Sequence, residues 1–136
     1  MTEPLPTFGL KRADLVYRPR PGAYALVFDR AGRVALVNED DGWYLPGGGL
    51  EGVELPEQAL SREVREECAC DVRITDVLGE ALEFVDASSA GPIEVHARFF
   101  RAEFIGDSSA VWLAAEVACE RAARRSHAWA IALART

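Results

Sequence analysis

Arg62, Glu63, Glu66 and Glu67 lie within six consecutive residues and hold the chain's most concentrated set of hard oxygen donors. On a helix, at 100° per residue, the three carboxylates fall within an arc of about 100°. Leu60, Val64 and Cys68 make the neighbouring apolar stripe. Carboxylates gathered at the edge of a buried face repel one another. Grouped oxygen donors of this kind suit a hard divalent cation, Mg²⁺ or its substitute Mn²⁺. A solvated acidic face explains the helix alone equally well, so the residues upstream have to decide.

Upstream the chain reads Tyr44-Leu45-Pro46-Gly47-Gly48-Gly49, a glycine-rich turn whose backbone can approach a metal or a phosphate closely. Glu54 follows Gly48 after five residues, and Arg62 follows Glu54 after seven. With Glu63, Val64, Glu66 and Glu67, this spacing resembles the signature of the Nudix hydrolase family. The resemblance implies a single domain over 1–136, with its box at 48–70, folded as an α/β/α sandwich around a mixed sheet. It also implies metal-dependent cleavage of the pyrophosphate bond in a nucleoside diphosphate linked to another group. Nucleoside triphosphates, dinucleoside polyphosphates, ADP-ribose and nucleotide sugars all meet that description. Carried over residue by residue, the metal ligands are Gly48, or its neighbour Gly47, through its carbonyl, with Glu63, Glu66 and Glu67. The catalytic set is Glu63 as base, Arg62 as orienting partner, and Glu66. Glu54 ties the loop to the helix. A nucleotide-sensing module without turnover is the alternative, although such modules typically lose box acids and all four glutamates are present here.

Three positions depart from the family pattern. Ala69 replaces a glycine that ends the helix with positive φ, so the helix is expected to run on slightly or end in another turn. Gly52-Val53 replaces Pro-Gly before Glu54. Leu55 occupies a position where Ser or Thr commonly caps the helix, although Pro56 favours the first turn.

The 136 residues suit one domain with a true core, and 49% of them are apolar. No run approaches a membrane span, and Met1–Phe8 has no signal-peptide core, so a cytoplasmic protein without membrane contact is expected. Cys68, Cys70 and Cys119 are too few for a disulfide framework and lack a second pair for zinc. A net charge of −7 argues against a nucleic-acid polymer as partner. It suits a small nucleotide if metal neutralises the site. The resemblance also allows a homodimer.

The elements that must position these groups follow from periodicity. Leu15–Tyr17 and Ala23–Phe28 read as strands, and the turn Asp29–Gly32 returns the chain as Arg33–Asn38. Trp43–Leu45 feeds the glycine turn, and a helix spans about Pro56–Ala69. Val72–Phe84, bent near Gly79, and Glu94–Ile105 read as long strands either side of a loop at 88–92, with Val111–Leu113 after them. The alanine-rich tail is helical, with Ser126 as a cap within it. Trp43, Tyr44, Phe84, Phe99 and Trp112 are candidates to stack a base. Arg18, Arg20 and Arg98 are candidates to grip phosphate. Asp107 is the acid nearest to serving as a base outside the box, against a plain turn role. His96 and His127 read as packed or surface histidines.

Overall fold

Strict alternation in the longest strands separates two cores. In β7 (Gly91–Ile105), Ile93, Val95, Ala97 and Phe99 join one buried cluster, and Phe100, Ala102 and Phe104 join the other. In β2 (Arg18–Leu26) the same division puts Tyr24 and Leu26 on the first side and Ala23 and Ala25 on the second. A strand buried on both faces has to be apolar on both. The computed structural model describes residues 4–136; Met1–Glu3, part of the polar N-terminal stretch, lie outside them.

The remaining elements are β1 (Thr7–Phe8), β3 (Val34–Glu39), β4 (Gly42–Tyr44), β5 (Gly47–Gly49), α1 (Pro56–Cys68), β6 (Asp71–Ser88), β8 (Val111–Leu113), α2 (Ala115–Arg121) and α3 (Arg125–Ala134). A five-stranded mixed sheet has the order β1-β6-β7-β2-β5. β2 runs parallel to β7, whereas β6–β7 and β2–β5 are antiparallel. A smaller sheet has the order β4-β3-β8. Helix α1 covers one face of the large sheet through Leu60, Val64 and Cys68, and α3 covers the other through Ala130 and Ile131. This is the expected sandwich. Register shifts between Ile74 and Asp76 and between Val77 and Gly79 bend β6 near the predicted place. Gly79 lies under α3, where a Cβ would meet the Trp129 ring at an ordinary contact distance of 3.4 Å.

Several expectations need correcting. Leu15–Tyr17 forms no strand; the Tyr17 hydroxyl instead donates to Asp86 at 2.5 Å, and its ring meets Phe84 edge-on. Pairing begins at Arg18, because the free edge of β7 satisfies β2 over its whole length. The loop expected at 88–92 shrinks to a tight turn, with Gly91 at φ +85°. Helix α1 stops at Cys68, since Ala69 accepts the left-handed conformation (φ 56°, ψ 32°) despite its Cβ. That conformation costs about 1–2 kcal/mol in an ordinary residue. The Cys68 carbonyl accepts the Ser109 N–H at 2.9 Å, which helps hold the terminus in place. Ser126 is not the cap of α3: Arg124 is. The capping acceptor is the buried Glu83 carboxylate from β6, which receives the N–H groups of Arg125 (3.0 Å) and Ser126 (2.9 Å) and the Ser126 hydroxyl (2.5 Å).

Candidate active site

Strand β5 is three glycines pressed between β2 and α1; the side chain missing at Gly47 leaves room for the β2 backbone, and those missing at Gly48 and Gly49 leave room for functional groups. A Cβ on Gly48 would stand 2.7 Å from the carboxyl carbon of Glu63. One on Gly49 would stand 2.9 Å from the Arg20 guanidinium. Gly47 has φ +139° and donates its N–H to Glu67 at 2.9 Å. Only glycine allows this approach of backbone to charged side chains.

Above this strand opens a cleft of about 640 Å³. Its charged lining comprises Glu63 and Glu67 from α1, Arg20 from β2, and Glu39, Asp40 and Asp41 from the β3–β4 turn. Tyr24 and Tyr44 supply its aromatic surface. No carboxylate lies within ion-pair distance of Arg20 among the described residues.

Arg62 ties the box together from below. Its guanidinium donates to Glu54 (2.8 and 3.0 Å), to the Gly49 carbonyl (3.1 Å) and to Glu63 (3.0 Å). The Glu66 carboxylate is more distant, at 3.5 Å. Glu54 in turn accepts the Glu51 N–H at 2.8 Å and so closes the loop in which Gly52 takes φ +54°. A two-pronged guanidinium fixes carboxylate orientation as well as charge. The hydrogen bonds from Arg62 hold Glu54 well below the usual carboxylate range.

The electrostatics of the two cleft glutamates are different. Burial pushes the Glu63 carboxyl up, against the pull of Arg62. Glu67 is pushed up to about 8, first by burial and further by Glu63 and Glu39, while the Gly47 N–H opposes the shift. Taking a carboxylate out of water beside others favours its protonated form. A bound cation has the opposite effect.

Under the cleft floor lies His127. It is buried, and its Nδ1 accepts the Leu45 N–H at 3.1 Å. Its ring packs on Tyr24, with centroids 4.4 Å apart. Burial, reinforced by Arg124, pushes it down to about 3, so it stays neutral as that acceptor.

The structure therefore brings Gly48, Glu63 and Glu67 to one cleft and places Arg62 beneath it. Glu66, with its side chain 59% exposed, stands at the outer edge of the box. Among the described residues, no three His, Cys, Asp or Glu side chains are gathered as a ready metal cage. Arg62 engages one oxygen of Glu63 and the Gly47 N–H one oxygen of Glu67, which leaves the second oxygen of each carboxylate for a cation. The donor set itself is all oxygen and fits a hard divalent cation. Asp107 lies elsewhere, beside Glu103 and Trp112 in a separate depression. His96 pairs with Glu80 at 2.8 Å and Arg98 sits 3.6 Å from that carboxylate, outside the cleft. Tyr44 is the one candidate aromatic that lines the cleft; Phe99 is core, and Trp112 packs on Phe104. Glu39 and Tyr24 were not foreseen. The acidic run Glu39-Asp40-Asp41 just before the glycine lead-in was the available signal.

Comparison with known proteins gives the chain's family and its likeness of fold. The NUDIX domain family matches residues 18–126. The RNA pyrophosphohydrolase of Zymomonas mobilis is 29% identical over 103 residues, covering 74% of this chain and 65% of that protein. The RNA pyrophosphohydrolase of Gluconacetobacter diazotrophicus is 36% identical over 70 residues, 43% of this chain and 41% of that protein. The matched part therefore falls short of two thirds of either relative's length. A NUDIX hydrolase structure from Nitrosomonas europaea superposes with a TM-score of 0.72 at 18% identity, over 87% of this chain and 89% of that one, a likeness of fold.

Proposed function

Because this chain belongs to the NUDIX family, we propose that it is a divalent-cation-dependent hydrolase that splits the pyrophosphate bond of a nucleoside diphosphate joined to a further group. The observation that carries the reading is the cleft itself. Half-buried carboxylates of α1 face a glycine strand, with two tyrosines and an arginine that has no carboxylate partner among the described residues in the same opening. Glu63, Glu66 and Glu67, with the Gly48 carbonyl, would hold Mg²⁺, or Mn²⁺ in its place. When bound, the cation would neutralise phosphate charge and make the attacking water more acidic.

The chain's own residues do the rest. Arg62 fixes the direction of Glu63 and anchors the loop through Glu54. Glu63, its carboxyl raised by burial, is placed to take a proton from the attacking water. Arg20 faces the glycine strand and meets the charge of the bound phosphates. Tyr24 and Tyr44 offer ring surface to the base. His127 holds Leu45, and with it the entry to the glycine turn.

The substrate range includes nucleoside triphosphates, dinucleoside polyphosphates, ADP-ribose and nucleotide sugars. The names of the two relatives, both RNA pyrophosphohydrolases, add RNA to that range. The decisive experiment incubates the protein with Mg²⁺ and this panel, then separates and quantifies the nucleotide products by chromatography, with Glu67→Gln alongside. Turnover of at least one substrate and its loss in the variant are expected. Tight nucleotide binding without turnover would make the domain a sensor. Unchanged turnover by Glu67→Gln would overturn the metal assignment.

A further inference from the structure

Next to the cleft, across the β6–β7 hairpin, is a second depression of about 530 Å³. Arg12, Arg124 and Arg125 line it together with Glu83, Phe84 and Asp86. Its two acids are already engaged. The buried Glu83 carboxylate caps α3, and Asp86 accepts the Tyr17 hydroxyl at 2.5 Å. Its cations are far less committed. Among the described residues, neither Arg124 nor Arg125 has a carboxylate within 4.0 Å. Arg125 rests over the Phe8 ring at 5.8 Å, and Arg124 over Tyr44 at 5.3 Å. Arg12 pairs with Asp14 at 2.6 Å, but both side chains are more than half exposed, and such pairs yield readily to a better partner. Lys11 adds a charge at the margin, 5.7 Å from the Phe84 ring centre.

This basic groove stands out on a chain with a net charge of −7. Arg124 links it to the cleft, because the tyrosine beneath it lines the other side. Ser89 borders the cleft and Ala87 the groove, so a single hairpin separates them. A nucleotide whose base rests on Tyr44 would lie beside Arg124, and through it beside the groove. Guanidinium groups with few partners are the protein's best receptors for phosphate.

We propose that this groove is a second phosphate subsite, which takes a phosphate borne on the ribose 3′ side of the nucleotide being cleaved. The inference rests on the hydrolase reading and narrows its substrate class. The phosphate belongs either to a 3′-phosphorylated mononucleotide or to the first phosphodiester of an oligonucleotide.

The test compares kcat/KM, with Mg²⁺ present, for a nucleoside triphosphate, its 3′-phosphorylated form and a 5′-triphosphorylated dinucleotide. The unmodified protein should favour the 3′-phosphorylated nucleotide by about tenfold at low salt, with a preference that shrinks as salt rises. The paired substitution Arg12→Ala and Arg125→Ala should erase that preference and leave triphosphate turnover within about twofold, the expectation for charges that touch only the extension. Arg125→Gln alone, milder toward α3, should reduce the preference part of the way. An equal gain with the dinucleotide assigns the phosphate to an oligonucleotide, and a gain with the 3′-phosphorylated form alone assigns it to a mononucleotide. A gain with the dinucleotide alone, equal kcat/KM for all three, or a preference that survives the paired substitution would overturn the subsite. Absence of all hydrolysis would instead remove the hydrolase reading beneath it.

Discussion

Glu67 should couple cation binding to proton release, and the structure gives the size of the effect. An ordinary glutamate loses its proton near 4.5, whereas burial with Glu63 and Glu39 nearby holds Glu67 up to about 8. Near pH 7 the free folded protein therefore keeps a proton on Glu67 that the unfolded chain has given up. With the folded value raised, this proton contributes stability that is fully present below about 4.5 and is lost as pH rises through about 8. A cation that takes Glu67 as a ligand must displace the proton. Below pH 8, apparent cation affinity should then fall about tenfold per pH unit on account of Glu67, or roughly a hundredfold between pH 8 and pH 6. Calorimetry of Mn²⁺ binding at pH 7, in two buffers of different ionisation enthalpy, counts the protons directly. Glu67→Gln should release about one proton fewer than the unmodified protein. Equal proton release by the two, or an affinity independent of pH, would refute the placement of Glu67 against the cation.

Two further substitutions probe the frame. Gly48→Ala puts a Cβ 2.7 Å from the Glu63 carboxyl carbon, at a residue whose backbone is not left-handed. Turnover should fall on the order of a hundredfold, as displacement of a reacting group by about 1 Å can cause, while the melting temperature stays close to that of the parent. Full activity in Gly48→Ala would contradict the role of Glu63. Glu83→Ala removes the acceptor that serves two N–H groups and a hydroxyl at the start of α3. A loss of roughly 2–4 kcal/mol is expected, or about 10 °C in Tm. A melting curve that superposes on the parent's would show that α3 is capped in another way.

Some of this was legible in the sequence for plain physical reasons. The stripe Leu60, Val64 and Cys68 has helical spacing, and Pro56 marks the first turn, so α1 could be read within a residue. Alternation in Glu94–Ile105 gave the body of β7, and the turn at Gly32 gave its positive φ. Arg62 and Glu54, eight residues apart, were joined by the box spacing and are joined in space by two hydrogen bonds. What could not be read depends on partners distant in the chain. Leu15–Tyr17 has strand-like residues but no free edge beside it, whereas Arg18–Gly22 has the edge of β7. Glu83 looks like any strand glutamate until α3 is docked 43 residues later. Glu39 approaches Glu67 only because the β3–β4 turn folds over the glycine strand. Ala69 in a left-handed turn runs against local preference, and tertiary structure, including the bond from Ser109, overrides it.

The central claim is that the carboxylates beside β5 hold the cation that makes the pyrophosphate bond cleavable. Diffraction at an energy that reveals manganese, on crystals soaked with Mn²⁺ and a non-hydrolysable nucleoside diphosphate derivative, tests it most directly. An anomalous peak is expected about 2.0–2.4 Å from carboxylate oxygens of Glu63 and Glu67 and close to the Gly48 carbonyl. A fully bound nucleotide with no peak there, or with its only peak away from α1, would contradict it.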